Sequence, residues 1–192
     1  LIQMADMLPP EATNSAQVEA LVCAAHGLPV IPFHGVTDGE CDCGHEHAEK
    51  AVGAHPCFGE THLSATTSAA KIDNWFTQRP NCNYAIASGK EILETGTKLV
   101  IMAVGREESE MIAFFATLNE AGVQYVLLGY VMAGDGSRFI YLSIALDESL
   151  NDVEFNGGAT MQVDYAPGPG SIHSNGKKAI WLTKALPTIS SA

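Results

Sequence analysis

Residues 99–105 read LVIMAVG, and residues 107–120, just beyond them, read EESEMIAFFATLNE. The first run is apolar without interruption, which predicts a buried strand over Leu99–Val104. In the second run, acids in the first turn suit the helix dipole and Gly122 supplies a left-handed stop. The pattern therefore predicts a helix over Glu107–Glu120. The other elements are interpreted outward from this strand and helix.

More helices and strands are predicted on both sides of this pair. Asn14 is expected to cap a helix over Ser15–Ala25, and Thr67 to cap one over Ser68–Thr77. Strands are expected at Val30–Phe33, Tyr84–Ala87, Tyr125–Val131, Phe139–Ile144, Thr160–Tyr165 and Ala179–Leu182. The mixed order of elements predicts the α+β class, with a mixed or antiparallel central sheet flanked by helices. No segment has the composition of a linker, so residues 1–192 are predicted to form one domain.

The chain is acidic, with 22 Asp and Glu against 10 Lys and Arg and a formal net charge of −12. Proteins that bind duplex DNA tightly present a basic surface, because neutralising phosphates releases counterions. The basic residues here are scattered, and Lys177-Lys178 is the one adjacent pair, so we expect weak DNA binding by the isolated chain. No apolar run is long enough to cross a bilayer, and we expect a cytoplasmic protein without a membrane partner.

Metal-binding side chains are concentrated in residues 41–57, which begin with CDCGHEH. Zinc takes four nitrogen or sulfur donors in a tetrahedron, and a Cys-x-Cys with a returning pair can supply them. The preferred set is Cys41, Cys43, His47 and Cys57, with His45 and His55 as alternates. Four protein ligands leave no open position for chemistry, so the zinc would be structural. The alternative is a solvated polar loop whose thiols are simply reduced.

Several short segments, read in order, resemble one known family. They are Ala25-His26-Gly27 with Leu28–Pro32, the Cys-x-Cys-Gly of residues 41–44, His55-Pro56, Asn83–Gly89, Ala166-Pro167, Ser171, His173, Gly176 and Trp181. From about residue 16 to 182 this series is similar to the primase-polymerase domain of the archaeo-eukaryotic primase superfamily. The resemblance implies a primase-polymerase fold of the RRM-like type, with a Cys/His zinc loop.

The resemblance also implies nucleotidyl transfer with two metal ions, held by clustered carboxylates. The family carries an Asp-x-Asp at the end of the strand that begins at Leu99, and Ala103 and Gly105 occupy both acidic positions here. Phe139 takes the place of the family's nucleotide-binding His. The third acid has a match in Glu154 or in Asp152 beside it.

A nucleotide-binding group is implied near the end of the chain. Ser171, His173 and Lys177 are the candidates for contact with a triphosphate or a strand backbone, because the matching loop makes such contacts in active relatives. The alternative interpretation is an exposed hairpin that carries incidental basic residues.

These departures predict a catalytically degenerate primase-polymerase-like domain, which binds or scaffolds in DNA replication of the phage or plasmid type. Weak binding of DNA or a nucleotide and a protein partner are expected. One alternative is an active DNA primase or polymerase that uses divergent acids with Mg²⁺ or Mn²⁺. Another is a structural or assembly protein that has reused the fold, which the acidic charge favours.

Overall fold

The computed structural model describes residues 15–92, 95–156 and 160–186. Its helices are α1 (Ala16–Ala25), α2 (Ala69–Gln78) and α3 (Glu108–Glu120). Its strands are β1 (Val30–Phe33), β2 (Val36–Thr37), β3 (Glu40–Cys41), β4 (Asn83–Ala87), β5 (Glu91–Ile92), β6 (Thr97–Val104), β7 (Tyr125–Met132), β8 (Arg138–Ala145), β9 (Met161–Val163), β10 (Tyr165–Pro167) and β11 (Ile180–Lys184). Short 3-10 turns at Glu49–Ala51 and His62–Ser64 lie in the long connection from β3 to α2.

The strands form a large sheet, a small sheet and a hairpin. The large sheet has the order β11-β7-β8-β6-β5, and β9 also pairs with β6. The small sheet has the order β1-β4-β10, while β2 and β3 form the hairpin. Every strand pair among the described residues is antiparallel. The predicted α+β class with an antiparallel central sheet flanked by helices is confirmed.

Strand β6 is buried on both sides, because alternate side chains enter two different cores. Leu99 and Ile101 face the core that contains α1, α2 and the small sheet. Val100 and Met102 face the core that contains α3. Fully burying an aliphatic side chain of this size contributes about 1.5–3 kcal/mol relative to exposure, so this strand anchors both layers. The apolar run in the sequence therefore corresponds to a central strand, as predicted.

The helix starts differ slightly from those predicted. Ser15 caps α1 by accepting a hydrogen bond from the backbone of Val18 at 3.5 Å, whereas Asn14 lies outside the described residues. Ser68, instead of Thr67, caps α2. In both helices the serine hydroxyl accepts a hydrogen bond from a backbone amide that the first helical turn would otherwise leave unpaired. At α3, Glu107 is the cap itself, so the helix begins at Glu108.

Trp181 joins the last strand to the first helix. Its indole is buried and donates a hydrogen bond to the Glu19 carboxylate at 3.2 Å. Gly129 of β7 lies against the same ring, and a Cβ at that position would overlap it. The register of β7 also shifts next to Gly129, where the sheet accommodates the ring. Trp181 therefore anchors the last strand in the core.

The segment predicted as one strand over Thr160–Tyr165 forms two short strands, β9 and β10, which contribute to two sheets. Residues 161–163 pair with β6, whereas residues 165–167 pair with β4. Between them, the Asp164 carbonyl accepts a hydrogen bond from the Ser88 amide at 2.8 Å. The chain therefore crosses from the large sheet to the small one at Asp164. No helix within the described ranges is long and apolar enough to span a membrane.

Candidate metal centre and the cleft beside β6

Four predicted metal-binding side chains converge in the loop after β3. The donor atoms of Cys41, Cys43, His47 and His55 all lie within 4.8 Å of one another. The Cys43 sulfur is 2.9 Å from His47 Nε2, and the Cys41 sulfur is 3.3 Å from His55 Nε2. Two thiols and two imidazoles at these separations could hold a metal ion. We call residues 41–57 the metal loop.

The backbone brings the two ends of the metal loop together. The β2–β3 hairpin turns through Asp38 and Gly39, both at positive φ, and delivers Cys41 at its end. The other end is fixed beside β1, where the amide of His34 donates to the carbonyl of His55 at 3.0 Å. These ties align Cys41 and His55 even though 13 residues separate them in sequence.

Cys57 is not a member of the set, and the alternate His55 takes the fourth position. The Cys57 side chain is buried, and its amide donates to the Pro32 carbonyl at 3.1 Å, which ties the residue to β1. Burial raises the pKa of the Cys57 thiol to about 11, so it remains protonated. The other alternate, His45, is exposed and donates its amide to the Cys43 sulfur at 3.4 Å. The structure thus groups three residues of the preferred set, Cys41, Cys43 and His47, with the alternate His55.

The protonation of two donors follows from their surroundings. Burial, followed by the neighbouring charges of His34 and His47, lowers the pKa of His55, so this ring is neutral at neutral pH. A neutral imidazole has the lone pair that a metal requires. Burial raises the pKa of the Cys41 thiol, so a bound metal must displace a proton from this sulfur.

An apolar row crosses the large sheet at the end of β6. Ala103 is the register partner of Phe139 on β8 and of Met161 on β9. Directly opposed residues of paired strands lie on the same face, so these three side chains are neighbours. A methyl group, a phenyl ring and a thioether offer no oxygen to a hard cation such as Mg²⁺.

Gly105 lies under the carboxyl group of Glu110. A Cβ added to Gly105 would overlap that carboxyl group, so the side chain of Glu110 fills the space that a side chain on residue 105 would occupy. Glu110 is held there because its Oε2 accepts a hydrogen bond from the amide of Glu107 at 3.0 Å. The sequence prediction overlooked Glu110, although its position three residues after a helix cap is that of a capping-box acid.

These groups border a cavity of about 410 Å³, which we call the β6 cleft. Its lining is Ala103, Val104, Gly105, Arg106, Glu110, Ser137, Arg138 and Phe139. Among the residues that the structure describes, Glu110 is the one carboxylate in this lining. Arginines 106 and 138 add positive charge, and the Nε of Arg138 is buried without a hydrogen-bond partner in the described part of the chain.

The family model for the N-terminal domain of bifunctional DNA primase/polymerases matches residues 20–190. The chain belongs to this Prim-Pol family. No curated protein and no solved structure matches the chain. The resemblance inferred from the short segments is therefore confirmed at the level of the family.

The candidate third acids of this Prim-Pol domain lie beyond the cleft lining. Asp152 and Glu154 are both exposed in the segment after β8. The residues on either side of Glu154, Val153 and Phe155, pack against the core that contains α3. Phe155 stacks on Phe114 of that helix with ring centres 5.2 Å apart. Ala103 lies on the opposite face of the sheet, so the structure does not bring these acids to it.

The nucleotide-binding candidates of the Prim-Pol domain differ in their surroundings. Ser171 is buried, donating its hydroxyl to the Tyr84 carbonyl at 2.8 Å and accepting from the Tyr84 amide at 3.1 Å. Its hydroxyl therefore fastens the hairpin to β4. His173 and Lys177 face each other across that hairpin, where the His173 amide donates to the Lys177 carbonyl at 2.9 Å. The Lys177 side chain is exposed to solvent.

Proposed function

We propose that this Prim-Pol domain is catalytically degenerate and acts as a binding or scaffolding component in DNA replication of the phage or plasmid type. The observation that carries the proposal is the row of Met161, Ala103 and Phe139 beside a Gly105 covered by Glu110. Two-metal nucleotidyl transfer needs several carboxylates held together, because both metals must be ligated at once. A single described carboxylate in the cleft lining does not meet that requirement.

Binding remains possible in a cleft without catalytic metals. Arg106 and Arg138 line it, and the hairpin that carries His173 and Lys177 packs against Gly134 in the turn between β7 and β8. These basic groups suit a nucleotide or a DNA strand. The net charge of −12 opposes long-range attraction of nucleic acid. We therefore expect dissociation constants in the non-specific range, about 10⁻⁴ to 10⁻⁶ M at physiological salt, with a protein partner that brings the domain to DNA.

The metal loop is proposed to hold a structural zinc ion. Zinc binds thiolate sulfur at about 2.3 Å and imidazole nitrogen at about 2.0 Å, which holds tetrahedral donors roughly 3.5 Å apart. The contacts of 2.9 and 3.3 Å between sulfur and nitrogen are close to that spacing. The bound zinc would cross-link the two ends of the loop, and Cys41, Cys43, His47 and His55 would be its ligands.

The test of degeneracy is an assay for primer extension and for dinucleotide synthesis, with Mg²⁺ and with Mn²⁺. We expect incorporation at the level of the enzyme-free control. The same result is expected for Ala103→Asp alone, because residues that act as a unit do not restore function singly. The Ala103→Asp/Gly105→Asp/Phe139→His variant tests whether the rest of the domain supports nucleotide incorporation once these three side chains are replaced together. Robust incorporation by the unmodified chain would overturn the proposal.

A second candidate function is an active primase or polymerase that uses divergent acids. The observation that favours it is the Glu110 carboxyl group, which lies where a side chain on residue 105 would project. If Glu110 served as a metal ligand, Glu110→Gln would abolish incorporation, while Glu108→Gln, an exposed acid of the same helix, would not. Glu154→Ala tests the remaining acid in the same assay.

A further inference from the structure

Two possible ligand sets overlap in the metal loop, and they share one sulfur. Besides the Cys41, Cys43, His47 and His55 set, the donor atoms of His34, Cys41 and Asp42 also lie within 4.8 Å of one another. An ion held by the second set would take Cys41 away from the first. The chain therefore needs a way to keep the metal on one set, since donor geometry alone allows both.

His34 and Asp42 are engaged with each other. His34 Nδ1 lies 2.7 Å from Asp42 Oδ1, and a carboxylate can only accept, so the imidazole donates from Nδ1. A nitrogen that carries this proton has no lone pair for a metal. As long as the Asp42 carboxylate stays in place, Nδ1 of His34 is excluded from coordination, and Nε2 is the one nitrogen of that ring with a lone pair for a metal. The competing set therefore depends on whether the Asp42 carboxylate itself can bind the ion.

Arg79 holds that carboxylate. Its NH1 atom is 3.6 Å from Asp42 Oδ1 and 3.4 Å from His34 Nδ1. The nitrogen of His34 that donates to Asp42 cannot also accept from Arg79, so the attraction of Arg79 is to the carboxylate. A guanidinium remains charged at every physiological pH and has no acceptor atom, so it can neutralise Asp42 without binding the metal.

Arg79 is itself fixed by the body of the protein. It is the first residue after α2, and its amide donates to the carbonyl of Trp75 at 2.9 Å. Its guanidinium carbon lies 5.4 Å from the ring centre of Phe58, just beyond the far end of the metal loop. Arg79 therefore contacts the beginning of the loop through Asp42 and the residue after its end through Phe58.

We propose that Arg79 is a specificity-determining residue of the metal loop, which engages and neutralises the Asp42 carboxylate and so disfavours the set of His34, Cys41 and Asp42 relative to the two-cysteine, two-histidine set. This inference rests on the metal site proposed above. Arg79 is a positioning residue, since it acts through Asp42 and touches none of the four donors. Partners of this kind typically change metal affinity 10–100-fold when they are removed.

The experiment uses Co²⁺ as a spectroscopic substitute for zinc, in the full chain and in Arg79→Met. The thiolate-to-cobalt absorption reports how many sulfurs bind, and a chromophoric chelator reports the rate of release. We expect Arg79→Met to lose about half of the sulfur band, as His34 and Asp42 compete for the ion, and to release it about 10–100 times faster. Arg106→Met, at an exposed arginine outside the metal loop, is the matched control and should leave the sulfur band and the release rate of the ion unchanged.

A double variant separates this role from a general loosening of the loop. Adding Asp42→Asn to Arg79→Met weakens the competing set, so the sulfur band should return to its original strength. Asp42→Asn alone should retain the full band, which keeps a readout available if Arg79→Met folds poorly. Identical spectra and release rates for Arg79→Met and the unmodified chain would overturn the inference and leave the metal site standing. No cobalt bound by the unmodified chain would overturn both.

Discussion

The metal loop and the β6 cleft of this chain differ in how many metal-binding groups each of them brings together. The loop has four donors within 4.8 Å of one another, whereas the lining of the cleft has Ala103, Gly105 and, among the described residues, the single carboxylate of Glu110. Clustered carboxylates repel one another when no metal is bound, and replacing them relieves that repulsion. Residues that a structural ion needs are retained for folding, while residues that only catalysis needs can be exchanged for stability. If the proposed zinc binds, the loop contributes to stability through its metal ligands, whereas the cleft contributes through the packing of Glu110 over Gly105.

The largest expected effect is the loss of the metal from the loop. Cys41→Ser should reduce the zinc content of purified chain from about one ion to less than about 0.1, because a hydroxyl replaces a thiolate ligand. Structural zinc sites have apparent binding free energies of about 10–16 kcal/mol, so thermal stability should fall as well. Elemental analysis and differential scanning calorimetry measure the two effects.

Cys57 provides the control for that experiment. Cys57→Ala removes a buried thiol that lies outside the four donors, so its zinc content should equal that of the unmodified chain. His55→Ala should lose the ion. The reverse pair of results, zinc lost with Cys57→Ala and kept with His55→Ala, would show that the ligand set expected from the sequence was right.

An intermediate effect is expected in the cleft when an acid is restored. Gly105→Asp should destabilise the fold by about 1–3 kcal/mol, the range for overpacking a filled site, because the new side chain meets the Glu110 carboxyl group. Glu110→Ala should relieve much of this cost, which a double-mutant cycle in urea would measure as a coupling free energy. Glu108→Ala, on the exposed side of the same turn, should show no coupling with Gly105→Asp. If the free energies of Gly105→Asp and Glu110→Ala were as additive as those of Gly105→Asp and Glu108→Ala, the packing of Gly105 against Glu110 would be contradicted.

The smallest expected effect concerns Asp135, in the turn between β7 and β8. Its partial burial raises the pKa, but hydrogen bonds from Ser137 and the charges of His173 and Arg106 outweigh this, so the pKa is lowered overall. Because the pKa of Asp135 is lower in the folded state, its carboxylate stabilises the folded state at pH values above the ordinary Asp pKa of about 4. This contribution is lost as the pH falls through the pKa of the folded state. Asp135→Asn should therefore be less stable than the unmodified chain at pH 7, and the difference should disappear in acid. A constant difference from pH 7 to pH 3 would be the contrary result.

The regular elements could be predicted from the sequence because their signals are local. The run from Leu99 predicted β6, and the acids and Gly122 predicted α3 to within one residue. The break inside Thr160–Tyr165 could not be predicted in this way. It depends on Ser88, which is distant in sequence and captures the Asp164 carbonyl.

The candidate site was predictable in kind but not in detail. The density of Cys and His in the metal loop predicted a metal site, since few other functions need that composition. The choice between His55 and Cys57 depended on which side chain faces the loop and which enters the core, and spacing alone carries no such information. Glu110 was overlooked for a related reason, because the spacing of residues does not show that its carboxyl group reaches back over Gly105.

The crossing at Asp164 also restricts how the domain can move. Ser88 accepts from the amide of Ile101 through its hydroxyl at 3.0 Å and donates its own amide to Asp164, so a single serine bridges the two sheets. A hinge motion of one sheet against the other would have to break these two hydrogen bonds, each of which contributes about 0.5–1.5 kcal/mol.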